Sequence, residues 1–396
     1  MIRTADRLKT FPPYPLADVP QIKRDLAARG VDVIDLGAGD ADLAPPPAAV
    51  EALRSALSDP RMSRYPFQLG LPDFREAVSA WMQKRFGVSL DPFREIVPLV
   101  GSKEGIAHLA FGYVSPGDVT ILPDPGYQPY VGGTLLAGGE PYPVSLRPEH
   151  DFLVPLEDLP KDVVRRARVL YLNYPNNPTA AIAPREYLRD AVEFCRRNGI
   201  LLVYDNAYSE IAFDGYRPPS IFEFDGAIEV AVEFHSFSKT YNMTGWRIGW
   251  AAGSADVIAT LSRIKSFVDT GQFLAVQAGA AAALRSYDDW VPANVEAFRQ
   301  RRDALVAALR DAGIPCETPR ATMYVWPEVP DGFDDETFAR RALVEQGVVI
   351  MPGTALGRGG SGFFRAALTQ PPARLAEAAS RLGAVLDGRN RVLAAG

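Results

Sequence analysis

One lysine in the middle of the chain stands among residues that suit it for covalent chemistry. Lys239 lies in the stretch HSFSKTYNMTGWRIGW, between the hydroxyl side chains of Ser236, Ser238 and Thr240. The apolar strand VAVEF precedes it and GWRIGW follows it, which predicts a position at a strand edge and not on a helix surface. A lysine that is partly removed from water, or close to other cations, loses its proton more easily, and its amine can then attack a carbonyl to form a Schiff base. Without such neighbours a lysine is ordinarily a solvated surface charge.

The residues around this lysine also suit a phosphate group. Arg247 follows on a predicted strand, and together with Ser236 and Ser238 it offers charged and hydroxyl hydrogen-bond donors. Gly101 and Ser102 begin a predicted helix, whose first turn presents free backbone N–H groups and the positive end of the helix dipole. These residues predict a cradle for a dianionic group.

A cofactor that carries a carbonyl, a ring and a phosphate needs further partners, and the sequence offers one for each. Pyridoxal phosphate needs a carboxylate for its ring nitrogen, a donor for its phenolic oxygen and a face on which its ring can stack. Asp205 directly follows the buried strand ILLVY, where a carboxylate requires a cationic partner. Tyr208 offers a phenol, and Tyr127, in PDPGY, offers an aromatic face.

A cluster of asparagines and prolines follows another buried strand. The motif NYPNNPT occupies residues 173–179, directly after RVLYL. Such clusters are ordinary turns, but a turn that begins with asparagine at the end of a buried strand can also aim an amide at a ligand oxygen. From these residues alone both interpretations stay open.

Strands and helices alternate through the middle of the chain. Short apolar strands are predicted at 118–122, 168–173, 200–204, 230–234 and 248–252. Helices are predicted at 102–113 and 185–198, the second of them ended by Gly199. The alternation predicts an α/β domain with a mostly parallel sheet. Asn173, Asp205 and Ser236 then lie at the carboxyl ends of strands, where open α/β sheets bind ligands.

A second, smaller α/β unit is predicted after Trp290. It begins with a long charged helix at 294–312 and continues through the strand-like MYVW and a helix at 336–346. The strand VVIM, the stretch FFRAAL and a last helix from Pro372 complete it.

The start of the chain predicts an extended arm. The segment FPPYPLADVP, residues 11–20, is too rich in proline for a helix. We therefore expect three parts: an arm with a small-domain segment (1–45), a large cofactor-binding domain (46–288) and a small C-terminal domain (289–396).

The length, net charge and cysteine positions of the chain exclude several classes of protein. The chain has 396 residues, 47% of them hydrophobic, which suits a globular protein of two domains. A net charge of −6 with no basic block gives no support for binding nucleic acid or an anionic membrane. Cys195 and Cys316 show no metal or redox spacing, and no stretch suits a signal peptide or a membrane span. We expect a reduced, cytoplasmic protein that needs no metal.

These motifs together resemble the fold-type I pyridoxal-phosphate aminotransferases of class I/II. The resemblance runs from the arm through NYPNNPT, YDNAYSEIAF and HSFSKTYNMTGWRIG to the late FFRAAL. LKTFPPYPLADV, RGVDVIDLGAGDADL and GSKEGIAHLA are most similar to the LL-diaminopimelate aminotransferase branch. The resemblance to this family implies a large domain with a mostly parallel seven-stranded sheet flanked by helices, a smaller α/β C-terminal domain, and a homodimer. It also implies ping-pong transfer of an amino group between an amino acid and a 2-oxo acid.

The resemblance implies a role for each matching residue at the cofactor ring. Lys239 would form the Schiff base with pyridoxal 5′-phosphate and move the substrate proton. Asp205 would pair with the ring nitrogen, Tyr208 and Asn177 would bond the phenolic oxygen, and Tyr127 would stack on the ring.

Other residues would hold the phosphate and the substrate. The implied phosphate ligands are Ser102, Ser236, Ser238, Arg247 and, across the dimer interface, Tyr65. Lys103 would contact the phosphate through its backbone or a distal substrate carboxylate through its side chain. Arg365 would bind the substrate α-carboxylate as a fork, with support from Asn177, the backbone at Gly39 and Tyr14 in the arm.

Some residues depart from the family pattern. Ala41 stands where many members have proline, Ala180 where glycine is usual, and ATMYVW, with Thr322, replaces a more common Gly-Ala-Phe-Tyr. None of these positions carries a catalytic group, but they lie near the arm and the substrate entrance. They therefore bear on the choice of substrate.

The substrate stays open at this level. LL-diaminopimelate with 2-oxoglutarate is the pair that the branch implies, and aspartate, alanine or an aromatic amino acid are the alternatives. Gln68, Asp40 and Asp42 are candidates for binding a distal amino group, although the two aspartates would also serve as helix caps. A pyridoxal-phosphate β-lyase on the same fold would use the same residues. A ligand-sensing regulator would carry a DNA-binding segment, for which the sequence offers no basic patch.

Overall fold

The computed structural model describes residues 2–11, 18–67 and 69–386 of the chain. The α-helices are α1 (Val19–Ala28), α2 (Pro47–Ala56), α3 (Pro72–Phe86), α4 (Ser102–Tyr113), α5 (Gln128–Ala137), α6 (Lys161–Arg166), α7 (Arg185–Asn198), α8 (Ala227–Val230), α9 (Phe237–Thr240), α10 (Ala255–Val268), α11 (Leu274–Arg285), α12 (Tyr287–Asp311), α13 (Asp335–Gln346) and α14 (Pro372–Leu386). The strands are β1 (Ile34–Asp35), β2 (Ile96–Leu99), β3 (Val119–Asp124), β4 (Glu140–Ser145), β5 (Ala167–Leu172), β6 (Leu201–Asp205), β7 (Ala231–Ser236), β8 (Gly249–Gly253), β9 (Tyr324–Val325), β10 (Val348–Val349), β11 (Met351–Pro352) and β12 (Phe364–Ala367).

The main sheet has seven strands in the order β2-β8-β7-β6-β5-β3-β4. Neighbouring strands are parallel except at β8, which is antiparallel to both β2 and β7. The central strands β6 and β7 are buried along their whole length, as their largely apolar sequences predict. The prediction of an α/β fold with a mostly parallel seven-stranded sheet is confirmed, and its strands agree with the structure to within two residues.

Alternate residues of the central strands enter two different hydrophobic cores. Leu170 and Leu172 of β5 pack in one core, whereas Val169 and Tyr171 of the same strand pack in the other. Both faces of the strands are therefore covered by packed apolar side chains, as in other parallel sheets that lie between two layers of helices. The sheet therefore fixes the positions of the residues at the carboxyl ends of its strands, among them Asp205 and Ser236.

Two small sheets form a separate layer of structure. β11, β12 and β9 make an antiparallel sheet in that order, and β1 pairs in parallel with β10. Helices α12, α13 and α14 pack here in one core, which also includes Ile34 and Leu36 from the start of the chain. The three-part division of the chain stays a prediction, and its boundary after residue 288 falls inside the continuous helix α12.

Two predictions at element ends are wrong. The long charged helix begins at Tyr287, seven residues before the predicted start, and it accommodates Pro292. The apolar residues around that proline, Trp290 and Val291, pack into a core and offset its missing hydrogen bond. The segment predicted as an extended arm lies mostly outside the described residues, but its last two residues form the first turn of α1, where proline is tolerated.

No helix in the described part of the chain combines the length and the apolar composition needed to cross a membrane. The cytoplasmic location stays a prediction.

Candidate active site

Lys239 lies directly beyond the carboxyl end of β7. It is part of the one-turn helix α9 and not of a strand edge, because the Ser236 hydroxyl caps that turn by accepting the Ser238 amide at 3.1 Å. The ammonium of Lys239 is partly buried and donates a hydrogen bond to the carbonyl oxygen of Gly39. The lysine is thus turned inward, towards the loop that follows β1.

Asp205 ends β6 and is buried. Its Oδ2 accepts a hydrogen bond from the Tyr130 hydroxyl at 2.8 Å, whereas its Oδ1 has no partner among the described residues. Burial raises the pKa of Asp205 to about 6, although hydrogen bonds from the Tyr130 hydroxyl and the Ala207 backbone N–H, together with the nearby His235, partly oppose the rise. An unpartnered buried carboxylate oxygen suits a cationic N–H group from a ligand.

The turn that begins at Asn173 is tied to the same strand. Its side-chain amide donates to the backbone carbonyl of Asp205 at 2.6 Å, and its amide oxygen accepts the backbone N–H of Asn177 at 2.8 Å. The asparagine after β5 therefore holds the turn, as an ordinary structural interpretation of NYPNNPT predicts. That an amide of this turn faces a ligand stays a prediction.

Arg365, on β12, meets this turn across the cleft. Its guanidinium donates to the Asn177 amide oxygen and to the carbonyl oxygen of Gly37, each at 2.8 Å. Its Nε is buried and has no hydrogen-bond partner in the described part of the chain. A buried guanidinium with a donor to spare suits a carboxylate ligand.

Tyr324 is a site residue that the sequence reasoning missed. Its hydroxyl lies 3.3 Å from the Tyr208 hydroxyl, and the Arg365 guanidinium lies 4.2 Å from the centre of its ring. Burial alone raises the pKa of Tyr324, but Arg365, Lys239 and the Tyr208 hydrogen bond together outweigh it and lower that pKa. A side chain at position 39 would overlap the Tyr324 hydroxyl, which explains the glycine there. The only sequence signal was the place of this tyrosine in MYVW, within the stretch that departs from the family pattern.

Tyr130 was also missed, although it follows Tyr127 by three residues. It lies on α5 with its ring stacked on Tyr171 at 4.8 Å, which directs its hydroxyl to Asp205. Tyr127 stands just before α5 and meets the Tyr130 ring edge-on at 5.8 Å. Proximity to PDPGY was a weak signal, because nothing in the spacing shows that both rings face the sheet edge.

The phosphate-binding candidates are brought together from three elements. Ser102 begins α4 after Gly101, whose φ is +76°. Arg247 lies just before β8 in a left-handed turn, not on the strand, and its exposed guanidinium lies over Gly101, where a side chain would collide with it. Ser236, the last residue of β7, and Ser238, in α9, are both buried, and Ser236 pairs with Gly249 two residues after Arg247. We call Ser102, Ser236, Ser238 and Arg247 the phosphate cradle.

A large cavity is lined in part by Tyr127. Its volume is about 1140 Å³, and residues of α1, α5 and α13 contribute to its walls together with Lys103. The Lys103 ammonium is exposed and lies 5.9 Å from the centre of the Tyr127 ring. Lys103 is therefore placed to meet a ligand that extends past that ring.

The residues predicted to contact the distal part of the substrate lie in different environments. Asp42 accepts two hydrogen bonds from the buried guanidinium of Arg301, at 2.6 and 2.8 Å, and is not available for a substrate amine. Asp40 is exposed, and neither aspartate caps a helix. Gln68 and Tyr14 lie outside the described residues, so their predicted roles stay predictions. Tyr65 is 73% exposed on this chain.

Two of the unusual residues adopt a backbone conformation that favours glycine. Ala180 has a φ of +60° and Thr322 a φ of +76°. Such positions store about 1–3 kcal/mol of strain when the residue is not glycine. Thr322 compensates in part, since its hydroxyl accepts the backbone N–H of Tyr324 at 3.2 Å. The departure at ATMYVW therefore helps to place Tyr324.

Comparison with known proteins agrees with this geometry. The sequence model of the family described as "Aminotransferase class I and II" matches residues 31–382. The chain is 52% identical over 378 residues to the LL-diaminopimelate aminotransferase of Desulforudis audaxviator, with 96% of each chain covered. It is 48% identical over 381 residues to that of Nitratidesulfovibrio vulgaris, covering 96% of this chain and 98% of the relative. A probable N-succinyldiaminopimelate aminotransferase from Thermus thermophilus has a similar structure, with a TM-score of 0.88, 39% identity and coverage of 92% of this chain and 98% of the other.

Proposed function

The chain belongs to the class I and II aminotransferases and is a pyridoxal-phosphate-dependent enzyme, and from this premise we propose that it transfers an amino group from LL-diaminopimelate to 2-oxoglutarate. The substrate proposal rests on one observation: about half of all residues, over nearly the whole chain, are identical to those of enzymes named LL-diaminopimelate aminotransferase. The similar structure from Thermus thermophilus concerns an N-succinylated form of the same compound. All three relatives therefore point to a diaminopimelate skeleton as the amino donor.

The residues of the site fit the cofactor. The buried, unpartnered Oδ1 of Asp205 suits the protonated ring nitrogen, and the cradle of hydroxyls, helix start and guanidinium suits the phosphate. When bound, the cofactor withdraws electrons from the bonds at the substrate α-carbon and so makes the α-proton acidic. Asp205 supports this by remaining ionised opposite the ring nitrogen, because that pairing offsets the burial that otherwise raises its pKa.

Lys239 would hold the cofactor through its amine and then move the proton at the substrate α-carbon. Its amine contacts the carbonyl oxygen of Gly39, on the same loop whose Gly37 carbonyl oxygen accepts from Arg365, so this loop connects the lysine to the proposed substrate carboxylate site. Tyr208 and the Asn177 amide would donate to the phenolic oxygen of the cofactor. Asn177 can do so because its amide oxygen is already engaged by Arg365, which leaves the NH₂ group as a donor.

Arg365 would orient the substrate through its α-carboxylate. Its fork is held by Asn177 and Gly37 and by the Tyr324 ring, so it is oriented before a ligand arrives. With that end fixed, a long substrate would extend past Tyr127 towards Lys103 and the large cavity. The Lys103 ammonium would then meet the distal carboxylate.

We also propose a homodimer in which Tyr65 reaches the phosphate in the neighbouring subunit. Tyr65 is exposed beside Phe67, which is also exposed, with the two ring centres 5.8 Å apart. Exposed apolar side chains that lie together mark protein interfaces. Phe273 is exposed as well, and it follows Gln272, which donates hydrogen bonds to the carbonyl oxygens of Trp246 and Arg247.

The substrate is tested by single-turnover spectroscopy of the loaded enzyme with a panel of donors. We expect LL-diaminopimelate to convert the cofactor to its aminated form faster than aspartate, alanine, an aromatic amino acid or N-succinyl-LL-diaminopimelate, because the relatives that share about half of all residues with this chain are named for the unsuccinylated donor. A faster reaction with the succinylated donor would contradict the proposed substrate while leaving the aminotransferase activity intact. Release of pyruvate and ammonia without the aminated cofactor, from every donor tested, would instead indicate a β-lyase.

A further inference from the structure

A buried lysine on α10, Lys265, joins two acidic side chains outside the catalytic centre. Its side chain has 0% exposure to solvent. The ammonium donates to Oε2 of Glu104 at 2.9 Å and to both carboxylate oxygens of Asp269 at 3.1 Å. Because an unpaired lysine is costly to bury, these two carboxylates are what allow the ammonium to lie inside the protein.

Glu104 connects this lysine to the first half of the phosphate cradle. It lies in the first turn of α4, two residues after Ser102, and its Oε2 also accepts the backbone N–H of Val100 at 3.0 Å. Its Oε1 pairs with Nδ1 of His108 at 2.7 Å. Burial alone raises the pKa of Glu104, but His108 and Lys265 outweigh it and lower the pKa to about 2, so the carboxylate is ionised. Glu104 thus fixes the turn that presents Ser102.

Asp269 connects the same lysine to the second half of the cradle. Its Oδ1 accepts the backbone N–H of Gly271 at 2.7 Å. The next residue, Gln272, donates its side-chain amide to the carbonyl oxygen of Trp246 at 3.0 Å and to that of Arg247. Asp269 thus fixes the segment that holds the main chain at Arg247 in place.

We propose that Lys265 is a positioning residue that joins the two halves of the phosphate cradle and sets the distance between Ser102 and Arg247. The inference rests on the proposed function, in which these residues bind the cofactor phosphate. The ligand atoms of Glu104, His108 and Asp269 also lie within 4.8 Å of one another, a spacing that a cation site would have. The Lys265 ammonium already bonds both carboxylates there and supplies the positive charge.

The experiment compares binding of pyridoxal phosphate and of pyridoxal, which lacks the phosphate, to the full-length apoprotein. Both are followed by cofactor absorbance. In Lys265→Met we expect the Kd for pyridoxal phosphate to rise about tenfold, the size usual for losing a residue that supports a ligand-binding group, and the Kd for pyridoxal to change less than about twofold. Asp269→Asn keeps an acceptor for the Gly271 amide and should show a smaller loss of the same kind.

Two controls separate the possible outcomes. Arg302→Met removes another buried cation, which pairs with Asp214 away from the cradle, and should lower thermal stability without changing the ratio of the two Kd values. Arg247→Ala should lower the preference for the phosphorylated cofactor. If the wild type has no such preference, or if Arg247→Ala keeps it, the phosphate cradle itself is assigned wrongly.

Suppose that the wild type prefers pyridoxal phosphate and that Arg247→Ala loses this preference. If Lys265→Met then leaves the ratio of the two Kd values unchanged, the proposed role of Lys265 is wrong. Equal losses for pyridoxal and pyridoxal phosphate would overturn it as well, because they indicate general destabilisation. If Lys265→Met does not fold, the same comparison in Asp269→Asn and Glu104→Gln decides the matter, since each changes one charged group and keeps a hydrogen-bond acceptor.

Discussion

Asp205 carries opposite consequences for stability and for cofactor binding. Without cofactor, a buried carboxylate with one unpartnered oxygen is costly to ionise, and its pKa lies near 6 instead of the usual 3.8. With cofactor, the same oxygen gains a cationic partner. A residue that destabilises the apoprotein at neutral pH is therefore the one that suits the ring nitrogen.

This difference predicts a pH dependence of apoprotein stability. The folded-state pKa is raised, so the stabilising contribution of Asp205 is fully present below about pH 4 and is lost as the pH rises through 6. The loss amounts to about 3 kcal/mol for a shift of roughly two pKa units. Asp205→Asn removes the titration, so the variant apoprotein should equal the wild type near pH 4 and exceed it in unfolding free energy above pH 6.

The measurement is urea unfolding of both apoproteins between pH 4 and pH 8 at one protein concentration. Only the difference between the two proteins is used, because the other titrating groups then cancel. With pyridoxal phosphate bound, the advantage of the variant should disappear. If the difference in unfolding free energy between the two apoproteins does not change with pH, the ionisation of Asp205 does not destabilise the apoprotein.

At the scale of elements, the loop after β1 contacts both Arg365, the proposed ligand of the substrate carboxylate, and Lys239. The carbonyl oxygen of Gly37 accepts from Arg365, and that of Gly39 accepts from Lys239. The far end of the loop is held by Asp42, which binds Arg301 on α12. Arg301 also donates to the carbonyl oxygen of Leu368 beyond β12, at 3.0 Å. One buried guanidinium thus fixes the loop to both elements.

We expect Arg301→Met to lower kcat/KM for the amino donor by about 10- to 100-fold, because the loop loses the contact that fixes its distance from Lys239. The neighbouring residue provides a matched control. Arg302 lies on the same helix, is equally buried and pairs with Asp214, so Arg302→Met should reduce stability without a comparable loss of kcat/KM. Equal kinetic losses in the two variants would assign the effect to α12 as a whole.

The parts of the site that the sequence predicts are those that follow strands. Asp205 and Ser236 were found because parallel strands end at one edge, and a polar residue directly after an apolar run is visible in the sequence. Tyr130 and Tyr324 were missed because they reach the site from a helix and from another sheet, and their neighbours carry no pattern. The sequence predicts Asp42 as a candidate substrate contact because its partner, Arg301, is distant in sequence and lies in a helix whose sequence shows only that it is charged.

At the scale of the whole molecule, the proposed dimer makes each active site a product of two chains. Lys239 and Arg247 come from one chain, whereas Tyr65, which is exposed on its own chain, would come from the other. Two inactive variants should then complement each other. Lys239→Ala still supplies Tyr65, and Tyr65→Ala still supplies Lys239, so a mixed dimer contains one complete site and one site that lacks both groups.

Random reassociation of equal amounts of the two variants would place about half of all chains in mixed dimers, each with one complete site. Activity should therefore recover to about a quarter of the wild-type value, after unfolding and refolding the mixture, while each variant refolded alone stays near its own low level. If Tyr65 instead served the site of its own chain, the chain that carries Lys239 would lack it in every dimer, and mixing would give no recovery. A mixture that stays inactive although light scattering shows dimers would thus place Tyr65 outside the shared site, because complementation requires that the phosphate contact cross the interface.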